Sequence, residues 1–243
     1  MILNALHSME RQIMPPNWEW QWVIQEDNEK NSLRKLLGDD PRILYDCNGL
    51  RGGTAQTRNL GLTRATGSLI RVLDDDDSLE PTALNQDITN MDGHPERAWT
   101  CSRAVDILPD GTEMTPPDPL PPGPVPPGEL FRLWQESDDG RLPVHPATLT
   151  IRSAILRAFG GWMAIPVSDD TGMLMAVSSV FGGYFGGEVS LRYRKSDFQI
   201  TAQPWAHDAH NLSIRVKAIQ QRVAAITTVI SDYRGLITDE APS

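Results

Sequence analysis

Ile2, Leu3, Leu6, Met9 and Ile13 recur at helical spacing and Pro15-Pro16 end the run, so the chain is expected to open in a helix. Residues 18–25 (WEWQWVIQ) are rich in aromatic and β-branched side chains and run into Glu26-Asp27-Asn28. That is the pattern of a buried strand delivering acidic groups to a sheet edge. A short helix is expected near 32–37 and a second strand at 42–45 (RILY). The glycine-rich stretch 48–54 (NGLRGGT) turns the chain into a helix over 55–65. Residues 68–73 (SLIRVL) form a third strand, which ends in Asp74-Asp75-Asp76-Asp77. This alternation predicts an α/β fold with a mostly parallel, Rossmann-like sheet flanked by helices, whose ligands collect at the carboxyl ends of the strands.

The pattern continues with a helix over 81–90 and a strand over 97–108 that enters the turn Pro109-Asp110-Gly111. Between Pro116 and Pro127 eight of twelve residues are proline, which predicts an extended loop in place of a helix or central strand. Such a loop either covers a binding site or acts as a spacer around the domain edge. Short helices follow at 129–136 and 153–159, the second ended by Gly160-Gly161, then a helix over 171–180 and a strand over 187–193. From 209 to 233, Leu212, Val216, Ile219, Val223, Ile226 and Val229 mark a long amphipathic helix, expected to pack on the domain or to join a second copy as a homo-oligomer.

Composition narrows the class. With 243 residues, 40% apolar and 22% charged, the chain is long enough for one large domain with an appendage. A net charge of −10 argues against a nucleic-acid partner, which would select clustered Lys and Arg. Cys47 and Cys101 have no metal or redox spacing, which makes a reducing cytoplasm the expected location, with peripheral membrane contact left open. No run reaches the ~18 apolar residues of a spanning helix. The first residues also lack the basic segment and apolar core of a signal peptide.

Four adjacent carboxylates repel one another unless solvated or shared with a cation. An acidic cluster alone reads as a solvated turn. Here an apolar strand precedes it and sets the first aspartates at a sheet edge, where Mg2+ or Mn2+ could be held by one or two carboxylates and a substrate's phosphates.

Three segments together, VIQEDN (23–28), NGLRGGTAQTRNLGLTRATG (48–67) and LDDDDSLEP (73–81), resemble the family-two glycosyltransferases, in order and in spacing. The resemblance covers about residues 1–205 and is strongest from 18 to 81. It implies a GT-A type fold, with a nucleotide-binding half at 1–110, an acceptor half at 111–205 and a C-terminal helical extension at 206–243. It also implies a nucleotide-diphosphate sugar as donor, a divalent metal (Mn2+ or Mg2+) and a hydroxyl-bearing acceptor such as a saccharide, a lipid or a secondary metabolite.

By this resemblance, Asp27 hydrogen-bonds the nucleotide base with Glu26 as its neighbour, and Arg58 lies against the nucleotide, although Thr57 stands where the family has alanine. Asp74 and Asp76 form the D-x-D pair on the metal, Asp75 faces the nucleotide and Asp77 supports the turn. The base that takes the acceptor proton corresponds to Asp170, with Asp169 as fallback, after Gly160-Gly161-Trp162. The family pair is Glu-Asp, so Asp169 is a shorter substitute. The residues alone offer Ser168-Asp169-Asp170 as a helix N-cap. His145 and Trp162 resemble acceptor-side positions, although a lone histidine or a tryptophan at such a turn is as readily structural. Arg192, Arg194 and Lys195 are candidates for neutralising the diphosphate, or a solvated strand end.

The family's first strand, which precedes its first helix, has no counterpart here. This predicts a sheet lacking one internal strand, with a start codon placed downstream of the true one or a trimmed protein as the explanations. Two other readings compete with catalysis by sugar transfer: a degenerate domain that binds nucleotide sugar or a partner without turnover, and a nucleotidyltransferase. The latter lacks a phosphate loop with the expected basic signature.

Overall fold

The computed structural model describes residues 1–117, 120–137, 142–197, 199 and 202–238, the side chains of 233–238 excepted. Helix α1 (Ile2–Glu10) turns Ile2, Ala5, Leu6 and Met9 inward. Strand β1 (Trp22–Glu26) pairs in parallel with β2 (Ile43–Cys47), and the segment between them contains only a single 3-10 turn, Arg34–Leu36, where a short helix was expected. Trp18 and Trp20 precede the strand instead of belonging to it, and Arg42 stacks on the buried Trp20 ring at 3.7 Å. Helix α2 (Thr54–Arg64) follows the glycine-rich turn, and β3 (Leu69–Arg71) leads into the acidic run.

The remaining elements are β4 (Ser78–Leu79), α3 (Ala83–Met91), β5 (Arg97–Ile107), β6 (Glu113–Met114), β7 (Gly123–Val125), α4 (Glu129–Glu136), β8 (Thr150–Arg152), α5 (Ser153–Ala158), α6 (Asp169–Ser178), β9 (Gly182–Arg194) and α7 (Ala209–Thr238). Among the described residues the strands fall into two sheets. One is the β1–β2 pair; the other has the order β3-β8-β5-β9-β4, with β6 on β5 and β7 on β9.

The α/β class is as expected, but the larger sheet is mixed where a mostly parallel one was expected. Strands β5 and β9 run parallel, while β3–β8, β5–β8, β4–β9, β5–β6 and β7–β9 are antiparallel. The physical reason is that β4, β6, β7 and β8 are each two or three residues long, too short to carry an alternating pattern. Both β1 and β3 end as sheet edges: β1 bonds only to β2, and β3 only to β8. The Arg64 guanidinium, from the end of α2, donates to the Ile24 carbonyl at 2.9 Å and to the Gln25 side chain at 2.7 Å, tying the helix to β1.

Two apolar clusters hold the layers. Trp99, Leu149, Ile151, Leu156, Met173, Leu174, Ile219 and Val223 bring α5, α6 and α7 onto one side of the larger sheet. Leu6, Met9, Trp22, Ile24, Ile43, Leu79, Ala104 and Leu191 join α1 and the β1–β2 pair to β4, β5 and β9. Helix α7 therefore packs on the domain through Arg215, Ile219 and Val223, one residue per turn.

Residues 118 and 119 of the proline-rich stretch lie outside the described residues. Its described part contributes β7, an edge strand where Pro124 leaves no central ladder bond unmade, and β7 meets Gly183–Phe185 at the start of β9. The acidic run meets β9 at its other end, through the Arg194 N–H.

Candidate active site

The two acidic segments of the donor half are built differently. Glu26 ends β1 and accepts hydrogen bonds from the Ser32 hydroxyl and N–H, the Leu33 N–H, the Tyr45 hydroxyl and the Asn28 amide. Burial pushes its carboxyl up, but these bonds outweigh it and hold the group at about 2. Asp27 accepts from the Asn48 amide at 2.9 Å and from the Gly52 and Gly53 N–H groups at 2.6 and 3.0 Å. Burial raises its carboxyl and these donors lower it below the usual range. The pair organises the loop after β1 and the glycine turn that launches α2.

The acidic run is poor in such donors. The Asp77 N–H closes a turn onto the Asp74 carbonyl at 3.2 Å. Asp77 lies 1% exposed, with one oxygen accepting the Arg194 N–H at 2.9 Å and the other without a partner. Burial first, then repulsion from Asp74, Asp76 and Asp75, pushes its carboxyl up to about 8 against that one bond. Its expected part, supporting the turn, is what the geometry shows. Asp76 is also raised, by burial and then by Asp75 and Asp74. No salt bridge reaches Asp75 or Asp76 among the described residues.

Arg58, on α2, joins this run to the start of α6. Its Nη2 donates to Asp74 at 2.9 Å and its Nη1 to Asp169 at 3.3 Å, with the Trp162 ring centre 6.0 Å from Cζ. The next residue fixes the helix to the Gly160-Gly161-Trp162 turn: the Asn59 amide donates to the Trp162 carbonyl and accepts the Trp162 N–H, both at 3.0 Å. Gly161 must be glycine there. Its φ is +71°, and a Cβ would lie 2.0 Å from the Asn59 Oδ1.

Asp169 and Asp170 are the first residues of α6, where backbone N–H groups and the helix dipole favour negative charge. Ser168 stands at the N-cap without a side-chain cap hydrogen bond, and it adopts φ +69°, a left-handed conformation unusual for a side-chain-bearing residue. Burial, then the neighbouring Asp170, pushes Asp169 up to about 6 against the pull of Arg58. Asp170 is likewise raised, with burial the largest cause and Arg58 opposing it; its Oδ1 accepts the Thr171 N–H at 2.6 Å.

Two candidates have moved inward. Trp162 is 5% exposed within the core, so it offers no open face for stacking on a sugar. His145 is held edge-on to Tyr193 at 4.5 Å, and burial lowers its ring to about 4, so it is neutral at ordinary pH. The basic strand end is already paired: Arg192 bonds Glu80 and Glu113, Lys195 meets Asp106 at 3.2 Å, and Arg194 holds the acidic turn. The residue that sequence reasoning passed over is Asn59, whose signal was its place beside Arg58 in the resembling segment.

No cluster of three metal-binding side chains forms among the described residues. Mg2+ and Mn2+ do not require one when phosphates complete the shell, and a cation would relieve the repulsion from Asp75 and Asp74 that adds to burial in raising Asp76. The acidic run therefore fits such an ion.

A family model described as glycosyl transferase family 2 matches residues 1–156. Among solved structures, S. aureus TarS 1-349 in complex with UDP-GlcNAc superposes with a TM-score of 0.63 at 15% identity, over 82% of this chain and 56% of that one. S. aureus TarS 1-349 in complex with UDP gives 0.62 at 16% identity, over 81% and 57%. The chain spans little more than half the length of these proteins, and the fold they share is of the GT-A type. A search of curated proteins finds no match.

Proposed function

The chain belongs to glycosyl transferase family 2, and on that premise we propose that it transfers a sugar from a nucleotide-diphosphate donor to a hydroxyl acceptor, with metal dependence and inversion. The observation that carries this reading is Arg58: one guanidinium gathers Asp74, from the end of β3, and Asp169, from the start of α6. Donor-side and base-side carboxylates so meet at one place.

Asp74 and Asp76 would hold the divalent ion, which supplies Lewis-acid stabilisation of the departing diphosphate. The rest falls to the chain itself. Asp170 takes the proton from the acceptor hydroxyl as it attacks the face of the sugar opposite the leaving group. Asp169 stays paired with Arg58, which leaves Asp170 the freer carboxylate, and burial raises the affinity of both for protons. Glu26 and Asp27 are engaged by the protein's own donors, so they act on the nucleotide by shaping the loops around its base. A saccharide, a lipid or a secondary metabolite is the acceptor class. No helix among the described residues is long and apolar enough to cross a membrane.

The test is donor consumption, with and without acceptors, in the presence of Mn2+. Turnover that Asp76→Ala abolishes supports the reading. Binding of nucleotide sugars with neither hydrolysis nor transfer under any acceptor would overturn it in favour of a non-catalytic binding domain.

A further inference from the structure

We propose that Arg58 is an internal counter-ion that occupies Asp74 until a divalent cation displaces it, so that loading the metal and unlatching the two halves of the site are a single event. The inference rests on the glycosyltransferase reading above and adds a control of metal entry to it.

The two contacts of Arg58 are unequal. Arg58 is 17% exposed and spans two carboxylates that differ in burial: Asp74 is 42% exposed and Asp169 8%. Breaking the contact to Asp169 would leave a buried carboxylate unpaired, which is expensive; breaking the one to Asp74 returns a carboxylate to water. Arg58 therefore lets go of Asp74 and pivots on Asp169. The alternatives open to the guanidinium are Asp170, whose charge already acts on it, and the Trp162 ring 6.0 Å away on a turn clamped to α2 through Asn59.

A cation arriving at Asp74 and Asp76 competes for the oxygen that Arg58 holds at 2.9 Å. Asp76, which has the Gln199 amide as a donor but no salt bridge among the described residues, is the landing point; Asp74 is the latched one. Without the metal, Arg58 offsets part of the negative charge of the run. With the metal, that charge is offset twice and the guanidinium is repelled.

This fixes the sign of an experiment. If Arg58 merely held the acidic turn in shape, its loss would weaken metal binding. As a competitor for Asp74, its loss strengthens it.

The test is titration of the full chain with Mn2+ in the absence of donor, free Mn2+ being read by electron paramagnetic resonance. Arg58→Gln should tighten Mn2+ binding about two- to fivefold, the scale of one part-exposed ion pair that no longer has to be broken. Adding Asp74→Asn should remove that gain. Equal or weaker binding by Arg58→Gln overturns the proposal. Should that variant fail to fold, Arg58→Lys decides, because a single ammonium does not span both carboxylates: tighter binding supports the counter-ion and unchanged or weaker binding overturns it. Asp76→Ala separates the two readings. Mn2+ binding lost in Asp76→Ala but unmoved by Arg58→Gln sinks the counter-ion alone, whereas binding unmoved in Asp76→Ala sinks the proposed metal site and the counter-ion with it.

Discussion

The acidic pair after β1 and the acidic groups after β3 and at the start of α6 carry the same carboxyl group in opposite surroundings. Glu26 and Asp27 are surrounded by hydroxyls, amides and backbone N–H groups, and their carboxyls are held low. Asp76, Asp77, Asp169 and Asp170 have fewer donors than burial and mutual repulsion require, and theirs are pushed up. A carboxylate saturated by its own chain is scaffold. One left short of partners is available to a cation, a proton or a substrate.

The largest effect that would break this contrast is catalytic. Asp170→Asn should lower transfer by about 10²–10⁴-fold, the usual contribution of a general base, while Mn2+ affinity stays as in the wild type. Glu26→Gln should change turnover far less, and equal losses in the two variants would erase the distinction. Next in size, Asp27→Ala removes the acceptor shared by Asn48, Gly52 and Gly53 and should cost about 1–2 kcal/mol in urea denaturation, with the glycine turn losing its order.

The two clusters should also differ in the sign of their pH dependence, measured with chelator present. Glu26 has a folded value of about 2, below its ordinary 4.5, so its contribution is complete above 4.5 and is lost as pH falls toward 2. Asp77, raised from 3.8 to about 8, binds its proton more tightly when folded, so its contribution falls as pH rises across that interval. Glu26→Gln should flatten the acid limb of a stability profile, and Asp77→Asn, which keeps an oxygen for the Arg194 N–H, should flatten the fall toward pH 8. Smallest of all, Arg132→Ala removes exposed pairs with Glu129 and Glu136 on α4 and should leave the melting temperature unchanged.

Much of the framework was legible because it is long and periodic. Helices α1, α2, α3, α4 and α6 and strand β5 lie within a few residues of their expected positions. Strand β9 begins earlier than expected, at Gly182, because its glycines interrupt the alternation while the strand still pairs with β5. The short strands β4, β6, β7 and β8 carried no local signal, and with them went the mixed character of the sheet. At the site, the acidic run and the Asp169-Asp170 pair were visible as residues. Their convergence on Arg58 was not, since it depends on α2, β3 and α6 being brought together by packing. Likewise, the sequence around Glu26 does not reveal that Ser32, Leu33 and, from β2, Tyr45 turn their donors onto it.

The division of the strands into two sheets reaches beyond topology. The β1–β2 pair has a single ladder and otherwise depends on side-chain contacts, whereas β5 is bonded on both sides. Amide protons of Val23 to Gln25 should therefore exchange with deuterium sooner than those of Thr100 to Val105, as one of the separately opening units that native proteins commonly contain. Since that pair ends in Glu26 and Asp27, the loops expected to cradle a nucleotide would be mounted on the looser unit and the acidic run on the firmer one, and a bound nucleotide would register first as slowed exchange in the pair.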